Sequence, residues 1–205
     1  IRYGARPERV HIVPNGIDPA EIGLTPQDLI KKPAKRAPDA PLRLLFVGRL
    51  SVEKGVEVLL EACTLLHQQG VAYELVIVGD GPLRLSLEQR AKALQISESI
   101  TFYGSCPRDW LSAFYQNADV TCVPSLSEPQ GIVVLESLIC GTPVVGADLG
   151  GIPDMVQDGV NGRLVAPGQP QAWRRVLTEL QADPAALSRL AACAYDSAVK
   201  DYTWF

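Results

Sequence analysis

Short apolar segments alternate with longer stretches of helical pattern along most of the chain. The apolar segments predicted to be strands are 42–47, 73–78, 100–103, 119–123, 142–146 and 162–165. The stretches predicted to be helices are 56–69, 83–94, 107–116, one ending near 141, 152–156, 170–181 and 184–199. The strand segments carry apolar residues at both odd and even positions, which is typical of strands buried on both faces. The pattern therefore predicts an α/β fold, with one parallel sheet and helices on both faces.

The composition is that of one globular domain, with 205 residues, 47% hydrophobic and 20% charged. A net charge of −4 gives no electrostatic reason to expect a nucleic-acid partner. The five cysteines are scattered, without a C-x-x-C pair, which favours reduced thiols in a cytoplasmic protein over disulfides or zinc. No apolar stretch approaches the ~18 residues of a membrane span, so no transmembrane segment is expected. The chain opens in mid-pattern, and we expect it to be part of a longer protein.

Residues 24–41 break the α/β pattern. Prolines interrupt this segment, which also carries the cations Lys31, Lys32, Lys35 and Arg36. We interpret it as a solvated surface loop, because such a charge run is rarely buried. The alternative is a peripheral contact with an anionic membrane surface.

The loops that follow the strands are where chemistry is expected, because ligands of an open α/β sheet bind beyond the carboxyl ends of its strands. The loop 48–55 carries Arg49 and Lys54 between glycines and feeds a helix. Two cations beside helix N–H groups suit a diphosphate. The alternative is that Arg49 or Lys54 pairs with a surface carboxylate such as Glu53 or Glu57.

The next two loops carry weaker signals. Residues 79–82 read Gly-Asp-Gly-Pro, which lacks the third glycine of the dinucleotide fingerprint and is typical of a tight turn. The loop that begins with Gly104 and Ser105 has small side chains, so its backbone could approach a flat base.

The segment 128–136 is the most informative one, because Glu128 and Glu136 stand at its two ends. On one ideal helix they would lie ~12 Å apart, which is too far to flank a single glycosidic bond. The Pro-x-Gly start predicts a helix N-terminus between them, whose free N–H groups favour an anion. Hydroxyl-binding groups at both ends of an anion site suit a nucleoside diphosphate sugar. The alternative is a pair of solvated surface carboxylates.

Several common active-site patterns are missing from the sequence. It contains no G-x-x-x-x-G-K-[ST], no H-E-x-x-H, no G-x-S-x-G and no D-x-D, and only two histidines. Without D-x-D we expect no metal bridge to a diphosphate, so fixed cations must balance its charge. The sequence thus predicts no metal site and no separate cofactor.

Taken together and in this order, these segments resemble the C-terminal, donor-binding half of the GT-B glycosyltransferases, specifically the retaining family 4 type. The matching segments are 13–18, 48–55, 79–82, 124–125, 128–136, 141–145, 150–151 and 158–162. The resemblance covers nearly the whole chain and implies a Rossmann-like parallel sheet.

The resemblance implies that Arg49 and Lys54 hold the donor diphosphate and that Glu128 contacts the donor sugar, which makes these three the catalytic residues. It implies that Glu136 binds the ribose hydroxyls. The other implied donor-binding residues are Gly48, Gly104, Ser105, Gln130, Gly131, Ile132 and Val133. Family members usually carry an aromatic residue where this chain has Gln130, which leaves the donor sugar open.

The resemblance also implies a domain plan and an activity. Residues 1–205 would form a single nucleotide-sugar-binding domain with an interdomain hinge at 1–22, and the N-terminal, acceptor-binding domain of the same protein would lie outside this chain. The implied activity is hexosyl transfer with retention from a UDP-, GDP- or ADP-sugar, with the isolated domain nearly inactive. Two alternatives remain: a non-catalytic nucleotide-sugar-binding module, and an NAD-dependent oxidoreductase, which the incomplete glycine fingerprint disfavours.

Overall fold

One parallel sheet contains all the strands in the described part of the chain. The computed structural model describes residues 16–25, 37 and 40–202, apart from the side chain of residue 201. The strands are β1 (Leu42–Val47), β2 (Tyr73–Val78), β3 (Ile100–Gly104), β4 (Val120–Val123), β5 (Val144–Ala147) and β6 (Gly162–Val165). Their order across the sheet is β3-β2-β1-β4-β5-β6. The predicted Rossmann-like α/β fold is therefore confirmed.

The helices lie between and after the strands, as the sequence predicts. They are α1 (Val56–Gln68), α2 (Arg84–Ala93), α3 (Leu111–Asn117), α4 (Ile132–Ile139), α5 (Ile152–Met155), α6 (Pro170–Ala182) and α7 (Pro184–Tyr202). One predicted helix start is wrong: Pro107 has an extended ψ of 144°, and a 3-10 turn over Arg108–Trp110 precedes α3. Pro107 thus lies outside the helix that it was expected to open.

The faces of the sheet are covered by different helices, because successive residues of a strand point to opposite sides. In β1, Leu44 and Phe46 belong to the core cluster that contains Leu59 of α1. Leu45, between them, packs with the fully buried Tyr115 of α3. This alternation explains why β1 carries apolar residues at both odd and even positions.

The strand order creates a crevice where β1 and β4 lie side by side. Strands β2 and β3 extend the sheet on one side of this pair, and β5 and β6 extend it on the other. The chain reverses its winding direction between β1 and β4. In doubly wound sheets this switch point is the usual ligand site.

The predicted hinge and surface loop fall largely outside the described residues. Of the hinge, residues 16–22 are described, and the Ile17 N–H donates to the carbonyl oxygen of Tyr202 at 2.9 Å. This bond joins the start of the described chain to the end of α7. Most of the segment 24–41, with its cations, lies in the part that is not described.

Candidate functional site at the switch point

The loops after β1 and β4 are bonded directly to one another. The backbone N–H groups of Leu126 and Ser127 donate to the carbonyl oxygen of Glu53, at 2.8 and 3.2 Å. Gly55 has φ = 64°, and a β-carbon there would lie 2.1 Å from the carbonyl oxygen of Pro124. Only glycine permits this approach. The two sides of the crevice are therefore fixed relative to one another before any ligand arrives.

Lys54 and Glu128 form an ion pair across the crevice, with Lys54 Nζ 2.7 Å from Glu128 Oε2. The Lys54 side chain is 26% exposed and that of Glu128 only 6%. The alternative that Lys54 pairs with Glu53 or Glu57 is therefore wrong. Two residues that the sequence placed in separate motifs share one site.

Glu128 is held by two further donors, so it is not a solvated surface carboxylate. Ser125 Oγ donates to Oε2 at 3.1 Å, and the Gly131 N–H donates to Oε1 at 3.2 Å. A buried carboxylate needs such partners to remain charged. With Lys54, three donors fix the orientation of this side chain.

A third loop, after β5, supports the backbone of Glu128. The Gly151 N–H donates to the carbonyl oxygen of Glu128 at 3.1 Å. Gly150 has φ = 57°, and a β-carbon there would lie 1.8 Å from the same oxygen. A side chain at position 150 would therefore displace Glu128.

Helix α4 begins beside this carboxylate, with Gly131 as its N-cap at φ = 73°. Glu128 lies before the helix rather than on it, so the separation expected for one ideal helix does not apply. The Gly131 N–H, predicted to be free for a ligand, is occupied by Glu128. Within the described residues, we find no acceptor for the N–H groups of Ile132 and Val133, which leaves these two for an anion.

Glu136 lies further along α4 in a second buried site. Tyr115 Oη donates to its Oε2 at 2.8 Å, and Arg108 Nη2 donates to its Oε1 at 3.1 Å. Burial raises the pKa of Glu136, while the hydroxyl of Tyr115 and the charge of Arg108 oppose that rise and the carboxylate of Glu21 adds to it. The alternative interpretation of Glu136 as a solvated surface carboxylate is therefore also wrong.

Arg108 joins this site to the start of the described chain. Its guanidinium lies 3.2 Å from Glu21 and 3.1 Å from Glu136, and its side chain is 52% exposed. Because Arg108 is half exposed, a ligand can compete with it for Glu136 without breaking the core.

The other predicted site residues lie at the end of a strand or on loops at the same edge of the sheet. Arg49 is exposed, and no side-chain hydrogen bond or salt bridge holds it within the described part of the chain. Gly48 and Gly104 act through their backbones: the Gly48 N–H donates to Val78, and the Gly104 carbonyl accepts from Gly79. The remaining two, Ser105 and Gln130, are exposed.

Three residues of this site had no assigned role from the sequence. Ser125 lies in a segment that carries the family resemblance, but nothing in the sequence aims it at Glu128. Tyr115 precedes Glu136 by 21 residues and Arg108 by 28, with no repeating spacing to connect them. Only the packing of α3 against α4 brings them together.

A separate cavity of about 390 Å³ lies away from these groups, near the amino ends of β1 and β2. Leu44, Leu45, Val76 and Phe114 are among its lining residues. None of the predicted site residues lines it.

The described residues contain no group of three or more side chains that could hold a metal ion. Among the helices of that same part of the chain, none has the length and apolar character needed to span a bilayer.

Comparison with known proteins identifies the family. The model of the family described as "Glycosyl transferases group 1" matches residues 28–197. A D-inositol 3-phosphate glycosyltransferase of Xylanimonas cellulosilytica is 36% identical over 200 residues, which cover 93% of this chain and 47% of that protein. The chain thus spans about half the length of the curated relatives that it matches.

Solved structures show the same fold. Sucrose-phosphate synthase from Thermosynechococcus elongatus superimposes with a TM-score of 0.80 at 27% identity, covering 95% of this chain and 49% of that one. Anabaena HepE in complex with UDP superimposes with a TM-score of 0.80 at 26% identity, and the match covers 98% of this chain and 56% of that one. HepE has also been solved with UDP-glucose. With its parallel sheet and its family match, this chain belongs to the group 1 glycosyltransferases and has the fold of a GT-B half.

Proposed function

We propose that this chain is the donor-binding domain of a retaining glycosyltransferase of the family 4 type, which uses a nucleoside diphosphate sugar. The observation that carries the proposal is the ion pair between Lys54 and the buried Glu128 at the switch point of the sheet, in a member of the group 1 glycosyltransferases. A cation for phosphate and an anion for hydroxyl groups stand side by side where such sheets bind ligands.

The diphosphate lies between the loop after β1 and the start of α4. Arg49 and Lys54 supply positive charge, and the N–H groups of Ile132 and Val133 supply donors at the positive end of the helix. When the bond between the sugar and the phosphate breaks, the leaving nucleoside diphosphate gains negative charge. Groups fixed in place beforehand stabilise that charge in the transition state.

The two glutamates bind opposite ends of the donor. Glu128 accepts hydroxyl groups of the sugar, with Gln130 beside it, and Glu136 accepts the ribose hydroxyls. The loop that contains Gly104 and Ser105 frames the base. UDP is the first nucleotide to test, because HepE has been solved with UDP and with UDP-glucose.

No metal ion or cofactor is needed for this arrangement, since built-in cations balance the diphosphate charge. The sugar is transferred with retention, and the leaving phosphate assists in deprotonating the acceptor hydroxyl. The acceptor site lies in an N-terminal domain of the same protein, joined through the hinge at 1–22. The isolated domain therefore binds donor but transfers little sugar.

A second candidate is a nucleotide-sugar-binding module without transferase activity. A transfer assay on the full-length protein separates the two, because the module would bind donor and leave a labelled sugar untransferred.

The proposal is tested by calorimetric titration with UDP, GDP, ADP and NAD, and with the nucleoside of whichever diphosphate binds. We expect one nucleoside diphosphate to bind and NAD to bind weakly. Arg49→Ala and Lys54→Ala should each weaken diphosphate binding by about 1.5 to 3 kcal/mol, the value of a charged hydrogen bond, and leave nucleoside binding unchanged. Lys92→Ala, an exposed lysine of α2, is the control. Equal losses for nucleoside and diphosphate would overturn the assignment of the two cations.

A further inference from the structure

Glu136 is an unusual side chain to find on the buried side of a helix. Its side chain is only 6% exposed, and its two oxygens accept hydrogen bonds from Tyr115 and Arg108. A carboxylate offers about four acceptor positions, so these two donors leave two positions open. Two adjacent acceptor positions match a pair of neighbouring hydroxyl groups.

Tyr115 is held rigidly on the protein side of this carboxylate. Its side chain is fully buried. Its carbonyl oxygen accepts a hydrogen bond from Thr142 Oγ1 at 2.6 Å, and its hydroxyl donates to Glu136 at 2.8 Å. With its backbone anchored and its ring buried, Tyr115 fixes the position of the hydroxyl that Glu136 Oε2 accepts from.

The two partners of Glu136 differ in what they can do. Arg108 is half exposed and shared with Glu21, so it can move aside. Tyr115 is packed with Leu45 and Val78 in the core and cannot move without opening it. Tyr115 is therefore the permanent partner and Arg108 the exchangeable one.

We propose that Tyr115 is a positioning residue for the donor site, which holds the Glu136 carboxylate so that its open acceptor positions face the 2′,3′-diol of the nucleotide. The inference rests on the proposed function, in which Glu136 binds ribose. Tyr115 itself does not touch the donor.

The protonation state of Tyr115 beside Glu136 fits this positioning role. Burial raises the pKa of the Tyr115 hydroxyl well above its usual value, and the neighbouring Glu136 and Cys140 add to that rise while Arg108 opposes it. The hydroxyl thus stays protonated and remains a donor. The charged and titratable groups that face Glu136 are Tyr115 from α3, Arg108 from its 3-10 turn and Glu21 from the first described turn.

The test compares UDP, GDP or ADP, whichever binds most tightly, with its 2′,3′-dideoxy counterpart. The ratio of the two dissociation constants measures recognition of the diol. In the wild-type protein we expect the ratio to be about tenfold or more, as for a hydrogen bond to a charged group. Tyr115→Phe should reduce this ratio towards the ratio measured for Glu136→Gln. Tyr73→Phe, which removes a buried hydroxyl from β2, should leave it unchanged.

A purely structural role for Tyr115 would weaken both ligands equally and leave the ratio intact, and that result overturns the inference. If Tyr115→Phe does not fold, Thr142→Val takes its place, because it removes the hydrogen bond that anchors the Tyr115 carbonyl. A ratio of dissociation constants in that variant as large as in the wild type also overturns the inference. A wild-type ratio near one, or a Glu136→Gln variant that keeps the preference, instead refutes the proposed ribose site itself.

Discussion

The ammonium group of Lys54 lies 2.7 Å from a carboxylate oxygen of Glu128, although 74 residues separate them in the chain. Lys54 belongs to the loop after β1 and Glu128 to the loop after β4. Their contact spans the crevice in which we propose that the donor binds. In the absence of donor, each of the two catalytic candidates thus satisfies the charge of the other.

This pair predicts that the two cations of the first loop differ in their effect on stability. Lys54→Met leaves the buried Glu128 without its cation, so the free energy of unfolding should fall by about 1 to 3 kcal/mol. Arg49→Met should change it by less than about 0.5 kcal/mol, because Arg49 is exposed. Urea denaturation of both variants measures the difference. A similar loss in both would mean that the Lys54–Glu128 pair does not form in solution.

Removal of metal ions should leave donor binding intact. The described residues offer no cluster of metal ligands, and Arg49 and Lys54 can balance the diphosphate charge. We expect the same dissociation constant for whichever nucleoside diphosphate binds with excess EDTA as with Mg²⁺ or Mn²⁺, measured by calorimetry. Binding that appears only when a divalent ion is added would contradict the metal-independent site.

The two glutamates should have separable effects on binding. Glu136→Gln should weaken a nucleoside diphosphate and its sugar derivative equally, because both ligands carry the ribose. Glu128→Gln should spare the nucleoside diphosphate and remove the additional affinity that comes from the sugar. In the full-length protein, Glu128→Gln should also lower kcat/KM more than it weakens binding, if its contact strengthens in the transition state.

Side-by-side titrations of both variants with both ligands measure this difference. Glu98→Gln, an exposed carboxylate near the amino end of β3, is the matched control and should leave all values unchanged. Indistinguishable profiles for Glu128→Gln and Glu136→Gln would end the assignment of the two residues to opposite ends of the donor.

The raised pKa of Glu136 predicts opposite pH dependences for stability and binding. Burial places this pKa above its ordinary value of 4.5, so ionising the group costs free energy in the folded state. The favourable contribution of Glu136 to the free energy of unfolding is fully present below pH 4.5. It is lost as the pH rises through the raised pKa. The stability of the wild type relative to Glu136→Gln should therefore decrease across this window and then become constant.

Binding should improve across the same window, because the ionised carboxylate is the stronger acceptor for hydroxyl groups. The nucleoside of whichever diphosphate binds is the suitable probe, since it carries no phosphate that titrates there. Urea denaturation and NMR titration between pH 4 and 7 measure the two trends. A relative stability that does not change with pH would show that Glu136 titrates as it does in an unfolded chain.

The sequence by itself determined the class of fold and the positions of its elements. The run 42–47 is apolar at every position except Arg43 because β1 is buried on both faces, and such a run is a local property that can be read directly. The same holds for the start of α4, since Pro129 and Gly131 exclude a regular structure before it. Loops that carry cations and carboxylates after strands could likewise be recognised as candidate sites.

Only the tertiary structure decided which of these groups meet and how deeply they are buried. A hydrophobic pattern specifies which faces of a strand are covered, but it does not specify which strands become neighbours. The placement of β4 beside β1 brings Lys54 to Glu128, and the packing of α3 beside α4 brings Tyr115 to Glu136. Burial of both glutamates follows from those contacts, because each carboxylate can leave water only where the fold supplies donors to replace it.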